Sequence, residues 1–189
     1  MWLMIAAALA LAALALGTTK GGQTLIEQTA AAVVGRKHGP RWDRLHPDLR
    51  TLVEQVEQQA AAAGLDVMFW EGWRDLDTQK TDIARGVSHL KDPLNSLHPW
   101  GLAADFVFKN ALGAPTWLED AAQPKGWVDP RWRQLAEIMQ GVGLFSGGLA
   151  WGWDWPHAQL AGYTAASVRG EWGDNYLAFI RSTTGEAVA

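Results

Sequence analysis

An α+β fold is predicted by three observations. Apolar residues Leu49, Leu52, Val53 and Val56 fall at helical spacing, and Val67–Trp70 and Leu102–Phe108 read as short strands. No regular β-α-β alternation and no internal repeat is visible. The expected architecture is a small, mostly antiparallel sheet flanked by helices, with an apolar helix at the N-terminus.

The elements follow in order. Trp2 to Leu16 is uncharged and apolar and ends at Gly17. It is shorter than the ~20 residues of a membrane span and fits a signal-peptide core in length, although no Lys or Arg precedes it. Residues 1–17 are therefore expected to be a signal peptide or signal-anchor, and 18–40 a connector with a helix over 24–34 closed by Gly35. The main domain is expected over 41–181. It should begin with a helix from Pro47 to Ala63, stopped by Gly64. Val67–Trp70 then delivers Gly72, Trp73 and Arg74 to a turn, and Asp75 is placed to cap a helix carrying Gln79 and Ile83.

Leu102–Phe108 is apolar and ends in aromatic and β-branched residues, which marks a buried strand. A loop with Gly113, Pro115 and Pro124 follows. Asp129-Pro130 pairs a cap with a first-turn proline and predicts a helix that turns Trp132, Leu135, Ile138 and Met139 inward and stops near Gly141. Glycines and a proline in Gly147–His157 argue for a turn-rich extended segment rather than a helix. Glu171–Arg181 is expected as the final helix and 182–189 as a mobile tail.

Composition narrows the function. A 189-residue chain, 48% hydrophobic and 19% charged, is long and apolar enough for one folded domain with its own core. A net charge of -4 leaves no basic footprint, which argues against nucleic acid. The absence of cysteine excludes disulfides and thiolate metal sites.

The chemistry concentrates in two segments. Ser96-Leu97-His98-Pro99-Trp100-Gly101-Leu102-Ala103-Ala104-Asp105 offers an imidazole and a carboxylate, and Asp154-Trp155-Pro156-His157 offers a second imidazole with a spare acid. Gly101 permits the bend between His98 and the strand. Asp105 inside an apolar strand needs a partner, because burying an unpaired carboxylate is costly; a cation removes that cost. Small Ala103 and Ala104 leave room for an ion. His98, Asp105 and His157 are thus candidate zinc ligands, and three protein ligands leave the fourth tetrahedral position open, as in catalytic sites. A turn at Pro156 would bring Asp154 to that open side. His89 and Asp92 are rival ligands, whereas His38 and His46 sit in polar stretches and are expected at the surface.

Twelve tryptophans is a heavy load, with Trp100, Trp151, Trp153 and Trp155 close to these segments. Most are expected in the core, and one or two to face a substrate, where an indole could stack on a sugar ring or wall a peptide groove.

Ser-x-His-x-x-Gly-x-Ala-x-Asp, followed by an acid three residues before a His, resembles the zinc D-Ala-D-Ala carboxypeptidases and L-alanyl-D-glutamate endopeptidases, phage endolysins among them. The resemblance spans about Leu45 to Leu160 and includes Gly72-Trp73-Arg74 and Gln79, similar to the family's Gly-x-Arg element and following Gln. Two features depart from the family pattern: the segment before Asp154 is short, and Ala158 rather than an aromatic follows His157. The resemblance implies a zinc peptidase domain over 41–181 and peptidoglycan stem peptide as substrate. The short size and upstream element favour the L-alanyl-D-glutamate bond over terminal D-alanine. It also implies export or membrane tethering through the apolar N-terminus, with action in the periplasm or cell wall as a monomer.

On this reading Asp154 is the general base, and Arg74 stabilises an oxyanion or holds a substrate carboxylate, unless it only pairs at the surface with Asp75 or Asp77. Ser96, Gln79 and Trp100 are substrate-binding candidates, with a turn hydroxyl the favoured alternative for Ser96. Two other classes stay open: a module on the same fold that binds wall without cutting, and a membrane-anchored interaction protein whose tryptophans form the partner surface.

Overall fold

The computed structural model describes residues 41–118 and 128–185. The apolar segment 1–17, the connector 18–40, His38 and Pro124 lie outside the described residues.

Helix α1 (Pro47–Ala62) starts on a proline, whose missing N–H would have had no helical partner at that position. Leu49, Val53, Val56 and Ala60 make its buried stripe. His46 is not a free surface residue: it is half-buried and its Nδ1 accepts the Asp48 amide at 3.2 Å, capping α1. Burial pushes its pKa down. Gly64, at φ 76°, then turns the chain into β1 (Val67–Glu71). Helix α2 (Leu76–Ala84) is capped by Asp75, whose carboxylate accepts the Thr78 amide at 2.8 Å.

Strand β2 (Ala103–Lys109) is the centre of the sheet, followed by the two-residue β3 (Pro115–Thr116). Helix α3 (Pro130–Gly141) has the expected Asp129 cap, which accepts the Arg131 amide at 2.9 Å, and buries Trp132, Leu135 and Met139. The chain continues through β4 (Leu144–Ser146), α4 (Gly147–Trp151), β5 (His157–Leu160), α5 (Ala165–Trp172) and α6 (Tyr176–Thr184).

The strand order is β1-β2-β5-β4, with β3 on the far end of β2, and every pair is antiparallel. Alternation along the strands separates two faces. Ala104, Phe106, Phe108, Ala158 and Leu160 belong to the buried core, and Phe108 meets Trp132 of α3 edge-on at 4.7 Å. The other face carries Asp105, His157 and Gln159 into a cleft. No described helix is long and apolar enough to cross a membrane.

Two expectations about local structure fail. Gly147–Trp151 is a short helix, not an extended segment. Its glycines serve close packing: a Cβ on Gly147 would lie 2.8 Å from the Asp154 carbonyl oxygen, and one on Gly148 would overlap the Trp155 ring. Gly152, at φ 75°, ends the helix. The final helix is in fact two, because Gly173 adopts φ 61° and ψ −137°, a conformation reserved for glycine, and Asn175 starts α6 as a new cap. Helix α6 runs to Thr184, past the expected start of the tail, with Ser182 and Thr184 hydroxyls donating to the Phe179 and Ile180 carbonyls.

Gly101 carries the sharpest local demand. It sits at φ 68°, its carbonyl accepts the His46 amide at 2.9 Å, and an added Cβ would overlap the Arg44 carbonyl oxygen. Backbone cannot swing aside as a side chain can. Gly101→Ala is expected to cost at least ~2 kcal/mol and lower the melting temperature by roughly 5–10 °C, measured by thermal circular dichroism.

Candidate active site

His98 is held by a stitch between two loops. Trp73 Nε1 donates to the Pro99 carbonyl at 2.9 Å, and His98 Nδ1 lies 2.6 Å from the Gly72 carbonyl oxygen. A carbonyl only accepts, so Nδ1 carries the proton and Nε2 is left with a free lone pair. That Nε2 faces Asp105 Oδ2 at 3.4 Å.

Strand register supplies the rest. Glu71, Asp105 and His157 are Cα partners across β1, β2 and β5, so the central carboxylate and the second imidazole stand side by side. His157 Nδ1 lies 3.3 Å from Asp105 Oδ1. Its Nε2 lies 3.2 Å from Oε1 of Gln159, two residues on along the same face, so Nε2–H donates and Nδ1 is the nitrogen turned to Asp105. One ligand atom from each of His98, Asp105 and His157 falls within 4.8 Å of the other two.

Three lone-pair donors converging in a largely buried site repel one another. A divalent cation relieves that repulsion, and two imidazoles with a carboxylate are a donor set suited to zinc. Without a cation the cluster attracts protons. Burial opposes charge on His157, but its bond to Asp105 and the carboxylates of Asp105 and Asp154 outweigh burial and raise its pKa. Burial likewise works to raise the Asp105 pKa, yet His98 and His157 hold that carboxyl well below the usual range.

Asp154 enters from a tight turn. The His157 amide donates to its carbonyl at 3.1 Å, and Asp154 itself takes φ 56°. The turn brings its carboxylate to the cleft beside the cluster. Burial first, and the charge of Asp105 second, push its pKa up.

Arg74 is neither at the surface nor paired with Asp75 or Asp77. Its Nε and Nη2 donate to Glu71 at 3.0 and 2.7 Å, and its Nη1 donates to Gln79 Oε1 at 2.9 Å. Asp82 lies 3.3 Å from Nη1 and Asp105 Oδ2 lies 3.5 Å from Nη2. Three N–H groups of the fork are thus hydrogen-bonded within the protein, and two further carboxylates pair with its charge. Gln79 is 1% exposed and tied to Arg74 and Ser88, so it braces the arginine from below. Ser96 Oγ accepts the His98 amide at 3.3 Å, the turn role, while still bordering the cleft.

Trp100 is a correction. It is 0% exposed, its Nε1 donates to the Leu94 carbonyl at 3.2 Å, and its ring meets Phe179 and Tyr176 edge-on, so no substrate reaches it. The tryptophans exposed at the cleft wall are Trp151 and Trp153. Of the rival ligands, Asp92 pairs with Arg169 at 2.8 Å and His89 stands edge-on to Trp153 at 5.9 Å. Neither joins the cluster.

Sequence reasoning missed Glu71 and Gln159. The only available signal was spacing: Gln159 sits two residues beyond His157, which shares a face once the segment is a strand. Gln159→Leu is expected to weaken divalent-metal affinity about 10–100-fold by releasing the tautomer of His157, with Gln159→Glu restoring most of it. Competition titration against a chromophoric chelator measures both.

The cleft around these groups has a volume of about 910 Å³, ample for several residues of a peptide. The family profile of phage L-alanyl-D-glutamate peptidases matches residues 33–158. The chain is 27% identical over 129 residues to the peptidoglycan L-alanyl-D-glutamate endopeptidase CwlK of Bacillus subtilis (strain 168), covering 61% of this chain and 73% of CwlK. Among solved structures it is similar to the L-Ala D-Glu endopeptidase ChiX of Serratia marcescens, with TM-score 0.46 and 24% identity over 62% of this chain and 80% of ChiX. It is also similar to the LD-carboxypeptidase LdcB, with TM-score 0.44 and 15% identity over 72% of this chain and 68% of LdcB. The family match spans most of the fold and all three candidate ligands, and the chain belongs to the phage L-alanyl-D-glutamate peptidases, hydrolytic enzymes of peptidoglycan.

Proposed function

We propose that this enzyme cuts the L-alanyl-D-glutamate bond with a zinc ion held by His98 Nε2, His157 Nδ1 and the Asp105 carboxylate, with Asp154 as general base. The observation that carries the assignment is the convergence of those three ligand atoms within 4.8 Å of one another, beside a fourth, free carboxylate. When bound, zinc supplies Lewis acidity for the scissile carbonyl and a water made acidic enough to attack at neutral pH.

The chain's own residues do the rest. Gly72 and Gln159 fix the two imidazole tautomers so that the correct nitrogen faces inward. Arg74, gripped by Glu71, Gln79 and Asp82, holds Asp105 in place and is a positioning residue in this assignment. Asp154 accepts the proton of the attacking water and returns it to the leaving amine of D-glutamate. The four groups come from one chain, which supports a monomeric enzyme, and the apolar segment Trp2–Leu16 supports delivery to the wall.

Mass spectrometry of digested muropeptides tests the reading. New L-alanine carboxyl and D-glutamate amino termini are expected, abolished by a chelator and restored by zinc. Release of free D-alanine alone would instead indicate a carboxypeptidase, and no new termini a binding module.

A further inference from the structure

One wall of the cleft is left unused by this chemistry. Trp151 and Trp153 border the cleft at 44% and 53% exposure. Their rings stack on each other at 5.4 Å with 27° between planes, and Trp151 stacks in turn on His157 at 5.5 Å and 27°. Two such steps make an aromatic stack that starts on a proposed ligand imidazole and ends on Trp153, no more than about 11 Å from it. Packing does not require this exposure, since the residues between the two indoles and β5 are already fixed by the close contacts of Gly147 and Gly148. Exposed apolar surface at a site mouth marks a place where something binds.

We propose that Trp153, backed by Trp151, is the subsite for the muramyl sugar ring that bears the stem peptide, so that the enzyme prefers glycan-linked peptides to free ones. The inference rests on the L-alanyl-D-glutamate assignment above. In that substrate the alanine nitrogen is joined through a lactyl group to the sugar, which puts the pyranose roughly 8–10 Å from the scissile carbonyl by ordinary bond lengths. That reach matches the far end of the stack. On the alanine side of the bond there is otherwise only a methyl group, too small to cover an indole. On the glutamate side stand carboxylates and amides, which seek donors rather than an aromatic face. A pyranose offers a flat C–H face with hydroxyls at its rim, the complement of an indole face with an N–H at its edge.

The test compares kcat/KM for N-acetylmuramyl-L-alanyl-D-glutamyl peptide and for the same peptide without the sugar, using zinc-loaded enzyme. N-acetylmuramyl-L-alanine, which lacks the cut bond, serves as competitive inhibitor. The muramyl substrate is expected to be favoured at least about tenfold, with Trp153→Ala bringing the ratio close to one and weakening the inhibitor about tenfold, or about 1.4 kcal/mol. Trp153→Phe should keep part of the preference. A ratio near one in the unmodified enzyme, or a preference that survives Trp153→Ala, would overturn the subsite while leaving the peptidase intact. Failure to cut either peptide would overturn the peptidase assignment and the subsite together.

Discussion

Asp105→Asn is expected to yield a folded protein that neither retains zinc nor cleaves cell wall. The substitution keeps the shape of the side chain, and the backbone pairs of residue 105 with Glu71 and His157 do not depend on it. Arg74 would still be neutralised by Glu71 and Asp82, so no bare charge is left buried. The loss falls on the cation, which keeps two neutral nitrogens and a weak amide oxygen in place of a carboxylate. Metal content should drop from about one ion per chain to background, and activity by at least about a thousandfold, some 4 kcal/mol of transition-state stabilisation. Elemental analysis and a turbidity assay on purified wall measure the two, with the melting temperature as the folding control. Full activity in this variant would end the metal-ligand assignment.

Asp154→Asn separates the base from the ligands. Asparagine tolerates the left-handed conformation that residue 154 adopts at φ 56°, so the turn into β5 survives the change. Zinc content should stay at the level of the unmodified enzyme while kcat falls about 10²–10⁴-fold, the usual contribution of a positioned base. Metal loss together with activity would mean that Asp154 is a ligand.

Much of this was legible in the chain. The α1 stripe, the Asp75 and Asp129 caps and the two apolar strands announce themselves through periodicity and terminal chemistry, which are local properties. The candidate ligands stood out because a carboxylate in the run Leu102–Phe108 makes sense only with a partner, and the fold brings His98 and His157 to it. What failed depends on distant parts of the chain. Gly147 and Gly148 suggest a turn by propensity, but the Trp151 and Trp155 rings need their empty Cβ positions, and packing sets the helix. Trp100 and Trp153 are the same residue type in similar sequence surroundings; only the arrival of α6 decides that the first is core and the second is wall. Arg74 had acids on both sides in the sequence, and the strand bulge between Phe69 and Glu71 chose its partner.

On the proposed base role of Asp154, its left-handed backbone sets stability against usefulness. Glycine would occupy φ 56° with about 1 kcal/mol less strain, since it has no Cβ to crowd the carbonyl. A laboratory screen that rewarded heat tolerance alone would therefore drift towards glycine at this position, and its sturdier winners would be inert.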